Sequence, residues 1–266
     1  MPEIEVKETW KKYWDSSDLA AFDFPALASY QQPIFQLLRD IIDRQKVSTV
    51  LAAGCGQDFV SFHLQKHFKN NLRITLLDIA EKILVYNKAL FERHQLAVDT
   101  AEASVFSMPF SAGSYDLVFN TGLMEHFGPD EQVSMTREIL RVLKPGGLYV
   151  SANPSDRGRI YKYGMATAQR KGTWEYGVEI PVRSLQFIAD QVPDISDITE
   201  IDRDFAGQLH FLGYVSPALR VASWPIRAIA RNQRAGIIMD ATLGKVLGTY
   251  LRVSIFRKNA NQSHVA

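Results

Sequence analysis

The chain of 266 residues contains a single cysteine, Cys55. That excludes an internal disulfide, and no Cys/His cluster has the spacing of a structural zinc site. No metal is therefore expected. Long apolar runs are also missing: no stretch approaches the roughly 18 residues needed to span a bilayer. Met1-Pro2-Glu3-Ile4-Glu5 opens without a basic stretch followed by an apolar one, so no secretory leader is expected. A soluble cytoplasmic protein is the resulting expectation. A charge excess of either sign is absent as well, with 30 Lys and Arg against 29 Asp and Glu. Nucleic-acid binders usually carry a basic surplus, because phosphate contacts supply most of their affinity. No nucleic-acid partner is expected. Repeats and low-complexity segments are lacking too.

What is present is an apolar-rich chain (46%) long enough to bury a sizeable core. The first 45 residues read as a largely helical, amphipathic cap. Trp10, Tyr13 and Trp14 recur at i, i+3, i+4, and Ile34, Leu37, Leu38 and Ile41 at i, i+3, i+4, i+7. From Val47 the texture changes to alternating strands and helices. Strands are expected over residues 47–53, 72–77, 96–100, 115–119 and 148–152. Helices are expected over 59–68, 80–94 and 130–143, the last stopped by Lys144-Pro145-Gly146-Gly147. That alternation implies right-handed βαβ units and a parallel sheet covered by helices on both faces. Further on, a helix over 181–191 and strands over 195–201 and 249–256 are expected. An apolar-basic segment over 205–248 lies between those strands, and a disordered polar tail follows Phe256.

The strongest chemical signal is the strand, loop and helix around Gly54-Cys55-Gly56. In open parallel sheets, ligands bind beyond the carboxyl ends of the strands, and glycines there let backbone approach a ligand closely. A dinucleotide loop reads G-x-G-x-x-G, but Phe59 stands at the third glycine position. A phosphate loop needs Gly-Lys-Ser/Thr, which does not follow. The loop therefore suits a nucleoside better than a pyrophosphate, and a nicotinamide-dependent oxidoreductase is disfavoured. A plain glycine turn is the alternative. Asp78 closes the next strand, at the spacing of a ribose-binding carboxylate. It equally suits a helix N-cap, and the two roles are compatible.

Several further stretches fall in register. Val50-Leu51-Ala52-Ala53-Gly54-Cys55-Gly56 is followed by Leu76-Leu77-Asp78-Ile79, Ser107-Met108-Pro109-Phe110, Ser114-Tyr115-Asp116-Leu117-Val118, Leu123-Met124-Glu125-His126-Phe127 and Arg141-Val142-Leu143-Lys144-Pro145-Gly146-Gly147. Together they resemble the motifs of the class I S-adenosylmethionine-dependent methyltransferases over residues 45–156. Trp174-Glu175-Tyr176-Gly177-Val178-Glu179-Ile180-Pro181 is similar, more loosely, to a stretch of some subgroups.

The resemblance implies an α/β fold: a Rossmann-like seven-stranded sheet with the last strand antiparallel, an N-terminal helical cap and a C-terminal insertion. One methyltransferase domain would cover 1–266, divided into the cap (1–45), the cofactor-binding core (46–156) and an acceptor-side lid with the final strands (157–266). It also implies S-adenosylmethionine as cofactor. Ala53, Gly54, Cys55 and Gly56 would form the loop under it, Asp78 would bind ribose and Ile79 would pack on adenine. Ser104 and Val105 would flank the adenine edge, and Asn120 and Thr121 would line the methionine end. Glu125 and His126 are the catalytic candidates, since an imidazole has a suitable pKa for a base; a packing role for His126 is the alternative. Two positions depart from the family pattern: Ala52 and Ser104 stand where acids are usual. Each loss costs about 1–3 kcal/mol of cofactor binding if nothing compensates. Asp58 is a candidate to restore negative charge, or else caps the helix at Phe59.

The expected activity is methyl transfer to an O or N atom of a small organic acceptor. The alternative is a non-catalytic cofactor-binding or scaffold member of the same fold. Acceptor contacts are expected from Trp10, Tyr13 and Trp14, from residues 153–177 with Tyr161, Tyr163, Trp174 and Tyr176, and from residues 205–248, although core packing serves aromatics equally well. Arg227, Arg231 and Arg234 among Ile226 and Ile229 suit a membrane surface or an anionic substrate, or simply a solvated basic face. His63, His67, His94 and His210 lack motif context and are read as surface or structural.

Overall fold

The computed structural model describes residues 3–19, 26–28 and 30–260, with side chains from Val6 onward. The expected disordered tail beyond residue 260 lies outside the described residues. Seven strands form one sheet: β1 (Thr49–Ala53), β2 (Arg73–Asp78), β3 (Asp99–Glu102), β4 (Tyr115–Thr121), β5 (Leu143–Pro154), β6 (Ile195–Arg203) and β7 (Leu251–Lys258). Their order is β3-β2-β1-β4-β5-β7-β6. Only β7 runs antiparallel, wedged between β5 and β6.

Helices α1 (Glu3–Ser16), α2 (Gln31–Gln45), α3 (Phe59–Phe68), α4 (Glu81–Arg93) and α5 (Pro129–Val142) precede or alternate with the first five strands. The sheet separates two hydrophobic clusters. One joins Ile34, Leu38 and Phe62 to Val50, Ala52, Ile74 and Leu76. The other joins Leu51, Leu77 and Val118 to Ile139, Tyr149 and Phe256. This is the period-two alternation of a strand buried on both faces.

Local chemistry sets the joints. Asp58 accepts from Ser61 N at 2.8 Å and caps α3. Glu131 reaches back to Gly128 N at 2.8 Å, with Pro129 opening α5. The Lys144-Pro145-Gly146-Gly147 turn forms as an irregularity within β5, where pairing jumps from Leu143 to Leu148. A Cβ on Gly147 would sit 2.9 Å from Lys144 O, so only glycine fits there.

Several boundaries differ from expectation, two of them for a visible reason; β5, for one, begins at Leu143 rather than 148. β3 starts at Asp99, because the Gln65 and Asn70 side chains satisfy the Ala97 backbone on both sides. The helix expected from Pro181 begins at Gln186 as α7 (Gln186–Gln191). Val182 instead donates to Pro154 O at 2.7 Å and bridges Ser155 in parallel. Before α7, α6 (Arg159–Lys171) follows β5. Residues 205–248 fold between β6 and β7 into a 3-10 turn (Gly207–Phe211) and short helices α8 (Leu212–Val215), α9 (Pro217–Ala222), α10 (Trp224–Ala230), α11 (Gln233–Ala241) and α12 (Leu243–Leu247).

Candidate functional site

A cavity of about 730 Å³ opens over the carboxyl ends of β1, β2 and β4. Its inner end is built by the loop after β1. Gly54 and Gly56 have φ of +62° and +49°, a conformation costly for any residue with a Cβ. A Cβ on Gly54 would meet Leu123 Cδ1 at 2.9 Å. Gly56 N donates to Asp78 Oδ2 at 2.9 Å, and Ala80 N donates to Oδ1 at 3.0 Å. Asp78 therefore ties the loop and starts α4 at once. Burial raises its pKa, while these backbone donors lower it.

Gly54, Cys55, Gly56, Asp78, Ile79, Ser104, Val105 and Thr121 all line this cavity. Two expected residues do not. Ala53 is packed under the loop in the core. Asn120 is turned into a buried chain, accepting from Tyr149 Oη at 2.6 Å and facing Asn153. Ala52 sits in the apolar core on the opposite sheet face, and Asp58 is spent on its cap. Neither supplies charge to the cavity. Ser104 Oγ accepts from Phe106 N at 3.1 Å, which shapes the loop beside it.

The inner end fits a sulfonium nucleoside on its own features. The glycine backbone leaves room that a Cβ would fill, the buried Asp78 carboxylate beside it can accept from hydroxyls, and Ile79 and Val105 add apolar lining. The buried Gln57 Nε2, which has no partner, adds a donor at the same loop.

The outer chamber is walled by aromatic rings. Trp10, Tyr13 and Trp14 of α1 pack edge to face, and Trp10 also meets the His126 ring at 5.2 Å. Trp174, Tyr176, Phe211, Tyr214 and Tyr250 complete the wall. Tyr161 lies beneath it, fully buried against Phe211 and Tyr250, whereas Tyr163 is exposed. Core packing thus explains Tyr161 alone among the aromatics of that loop. His210, an exposed residue, also lines the cavity, and desolvation and two arginines lower its pKa.

Glu125 and His126 lie on the 3-10 turn Met124–His126 after β4. Asn153 Oδ1 accepts from Met124 N at 3.1 Å, and Gln132 Nε2 donates to Met124 O and Phe127 O. Ile180 N donates to Glu125 O at 2.8 Å, which docks the loop 174–181 on the turn. That loop delivers Glu179, whose acceptor atom lies within 4.8 Å of those of Glu125 and His126. Glu179 accepts from Tyr161 Oη at 2.6 Å. Burial raises both carboxyl pKa values: Glu179 reaches about 7, and Glu125 rises further because Glu179 faces it. Burial lowers that of His126. Sequence reasoning missed Glu179 as a site residue; the Trp174-to-Pro181 resemblance was its only signal.

The fold and the site define a Rossmann-like domain whose glycine loop and Asp78 open into one aromatic-walled cavity. Residues 50–147 match the family described as "Methyltransferase domain". A probable S-adenosylmethionine-dependent methyltransferase of Mycolicibacterium smegmatis is 28% identical over 106 residues, covering 40% of this chain and 38% of that protein. A demethylmenaquinone methyltransferase of Lactococcus lactis is 31% identical over 108 residues, covering 40% and 42%. The match thus spans about two fifths of the length of these relatives. Geranyl diphosphate C-methyltransferase from Streptomyces coelicolor superposes with a TM-score of 0.61 at 14% identity, over 97% of this chain and 99% of that one. Residues 50–147 are thus similar to methyltransferase domains, and the whole chain shares their fold.

Proposed function

We propose that the chain transfers a methyl group from S-adenosylmethionine to an O or N atom of a small organic acceptor. One observation carries this reading: the glycine loop and Asp78 share a single cavity with an aromatic chamber that holds the buried cluster Glu125, His126 and Glu179.

The cofactor, when bound, supplies a methyl group already activated by its sulfonium. The protein's task is then mainly alignment. Gly54, Gly56 and Asp78 would hold the nucleoside, with Ile79, Ser104 and Val105 around its base. Trp10, Tyr13, Trp14 and Trp174 enclose the acceptor and exclude water. His126 Nδ1 faces Val178 O at 3.0 Å. A carbonyl only accepts, so the proton sits on Nδ1 and the lone pair on Nε2. Nε2 is then free to receive a proton from the acceptor, as is either carboxylate. Labelled-cofactor binding tests the reading: Asp78→Ala and Gly54→Val should abolish it, and unchanged binding by both variants would sink it.

Ala52 and Ser104 support a second reading, a non-catalytic member of the fold. Calorimetry decides between them. No detectable affinity at millimolar cofactor favours that second reading, and tight binding with turnover ends it.

We further propose peripheral contact between the 205–248 insertion and an anionic membrane surface. Trp224, Ile226, Ile229, Ile237 and Ile238 are exposed on α10 and α11. Arg220, Arg227, Arg231, Arg234 and Lys245 accompany them from α9 to α12, against one acid, Asp240. Trp224, Arg227 and Arg231 also line the cavity, so the surface borders the acceptor's chamber.

A further inference from the structure

The cluster of Glu125, His126 and Glu179 has no cationic partner. Among the described residues no lysine or arginine forms an ion pair with either carboxylate. Glu125 is 1% exposed, lines the cavity, and its Oε2 lacks any hydrogen-bond partner. His126 spends its one proton on Val178 O, leaving Nε2 4.0 Å from Glu125 Oε1. With both carboxylates ionised, three acceptors face one another, and the donors to them among the described residues are the Tyr161 hydroxyl and Glu125's own backbone N–H. Buried acceptors without donors are costly unless a bound group supplies them.

The spacing indicates which cation completes the cluster. Acceptors arranged tetrahedrally around an ammonium at about 2.8–2.9 Å stand about 4.6–4.7 Å apart. Neighbouring ligands around Mg²⁺ at about 2.1 Å stand only about 3.0 Å apart, and those around tetrahedral Zn²⁺ about 3.3 Å apart. The Nε2–Oε1 separation of 4.0 Å is wider than either metal spacing and leaves room for an ammonium among the three atoms, which lie within 4.8 Å of one another. Trp10, whose ring abuts His126, and Trp174 line the same cavity, and aromatic rings attract organic cations.

We infer that Glu125, His126 and Glu179 form the seat of a protonated aliphatic amine, so that the acceptor atom of this methyltransferase is an amine nitrogen rather than an oxygen. This rests on the proposed methyl transfer. The ammonium gives one proton to a carboxylate of the pair, leaving a neutral amine. The nitrogen lone pair forms the N–C bond as the methyl's bond to sulfur breaks, and sulfur keeps that electron pair. The products are an N-methylammonium, a neutral thioether and a carboxylic acid that returns its proton to solvent.

Calorimetry with 2-phenylethylamine and 2-phenylethanol, which differ only in the ammonium and hydroxyl groups, tests the inference in the presence of saturating S-adenosylhomocysteine. The amine should bind at least tenfold tighter, and Glu179→Gln should reduce that preference to about twofold or less. The amide oxygen of that variant still accepts from Tyr161, so folding is preserved; thermal unfolding verifies it. Glu125→Gln is the second variant and should act alike. Equal affinity for the two probes overturns the inference, as does micromolar Mg²⁺ or Ca²⁺ binding that displaces the amine. Failure of the native protein to bind S-adenosylhomocysteine would instead count against methyl transfer itself.

Discussion

The backbone N–H of Gly56 donates to the Asp78 carboxylate at 2.9 Å, which makes the loop after β1 and the acid closing β2 one unit. Asp78→Ala removes the acceptor for both Gly56 and Ala80. Losing these bonds and the ribose contact should lower S-adenosylhomocysteine affinity at least about 100-fold, from roughly 3 kcal/mol of hydrogen bonding to a charged group. Asp78→Asn keeps one oxygen acceptor and should lose only about tenfold. Calorimetry on both variants checks this; native-like affinity in the alanine variant rules out a ribose role.

Asp116 joins β4 to β1 and β5 at the opposite end of the sheet. It accepts from Ser48 N, Thr49 N, both hydroxyls and Lys144 Nζ. Burial opposes ionisation there, but the bonds from Lys144, Thr49 and Ser48 outweigh it and hold its carboxyl well below the usual carboxylate range. A depressed folded pKa contributes stability that is fully present above the unfolded value, near pH 4, and lost as pH falls through the folded one. Asp116→Asn should therefore cost about 1–3 kcal/mol at pH 7 and flatten the acid limb of stability below pH 4. Denaturant midpoints across pH measure both. An unchanged limb removes Asp116 as its source.

Much of this was legible along the chain, and the exceptions share a cause. Helix α3 begins and ends where local signals put it, at the Asp58 cap and at Lys69 in the left-handed conformation. The joining of the glycine loop and Asp78 at one cavity was equally readable, because it takes only consecutive backbone and one strand end. β3 was misplaced because Gln65 and Asn70, some 30 residues away, satisfy Ala97. Asn120 sat in the right motif, but Tyr149 and Asn153 take its side chain into the core. Glu179 reaches Glu125 only because Ile180 pairs with a distant backbone. Local pattern cannot encode such long-range partners.

In the proposed cofactor pose Ser104, which lines the cavity, would stand beside the adenine edge where the family pattern has an acid. A carboxylate there would accept from an exocyclic amine about twice as strongly as a hydroxyl. Ser104→Asp should strengthen cofactor binding by about tenfold, equivalent to about 1.4 kcal/mol. Its carboxylate can still accept from Phe106 N, which Ser104 Oγ now holds at 3.1 Å. Titration with S-adenosylhomocysteine reads the gain. A loss of affinity would place the adenine amine elsewhere.

The apolar-basic face of α10 and α11 yields the last expectation. Ile229 and Ile238 are 57% and 62% exposed, so replacing them perturbs little of the fold. Burying one such side chain in lipid is worth about 1.5–3 kcal/mol, and each basic residue near an anionic surface adds about 1 kcal/mol. Vesicles rich in phosphatidylglycerol should therefore bind the protein, phosphatidylcholine vesicles should bind it far less, and raised salt should weaken the former by screening. Ile229→Glu with Ile238→Glu should lower partitioning at least tenfold. S-adenosylhomocysteine affinity should not change, because neither residue lines the cavity. Sedimentation with vesicles measures the partitioning. Indifference to lipid charge would leave these helices as a solvated lid, and self-association abolished by the same pair would assign the face to a second copy of the chain.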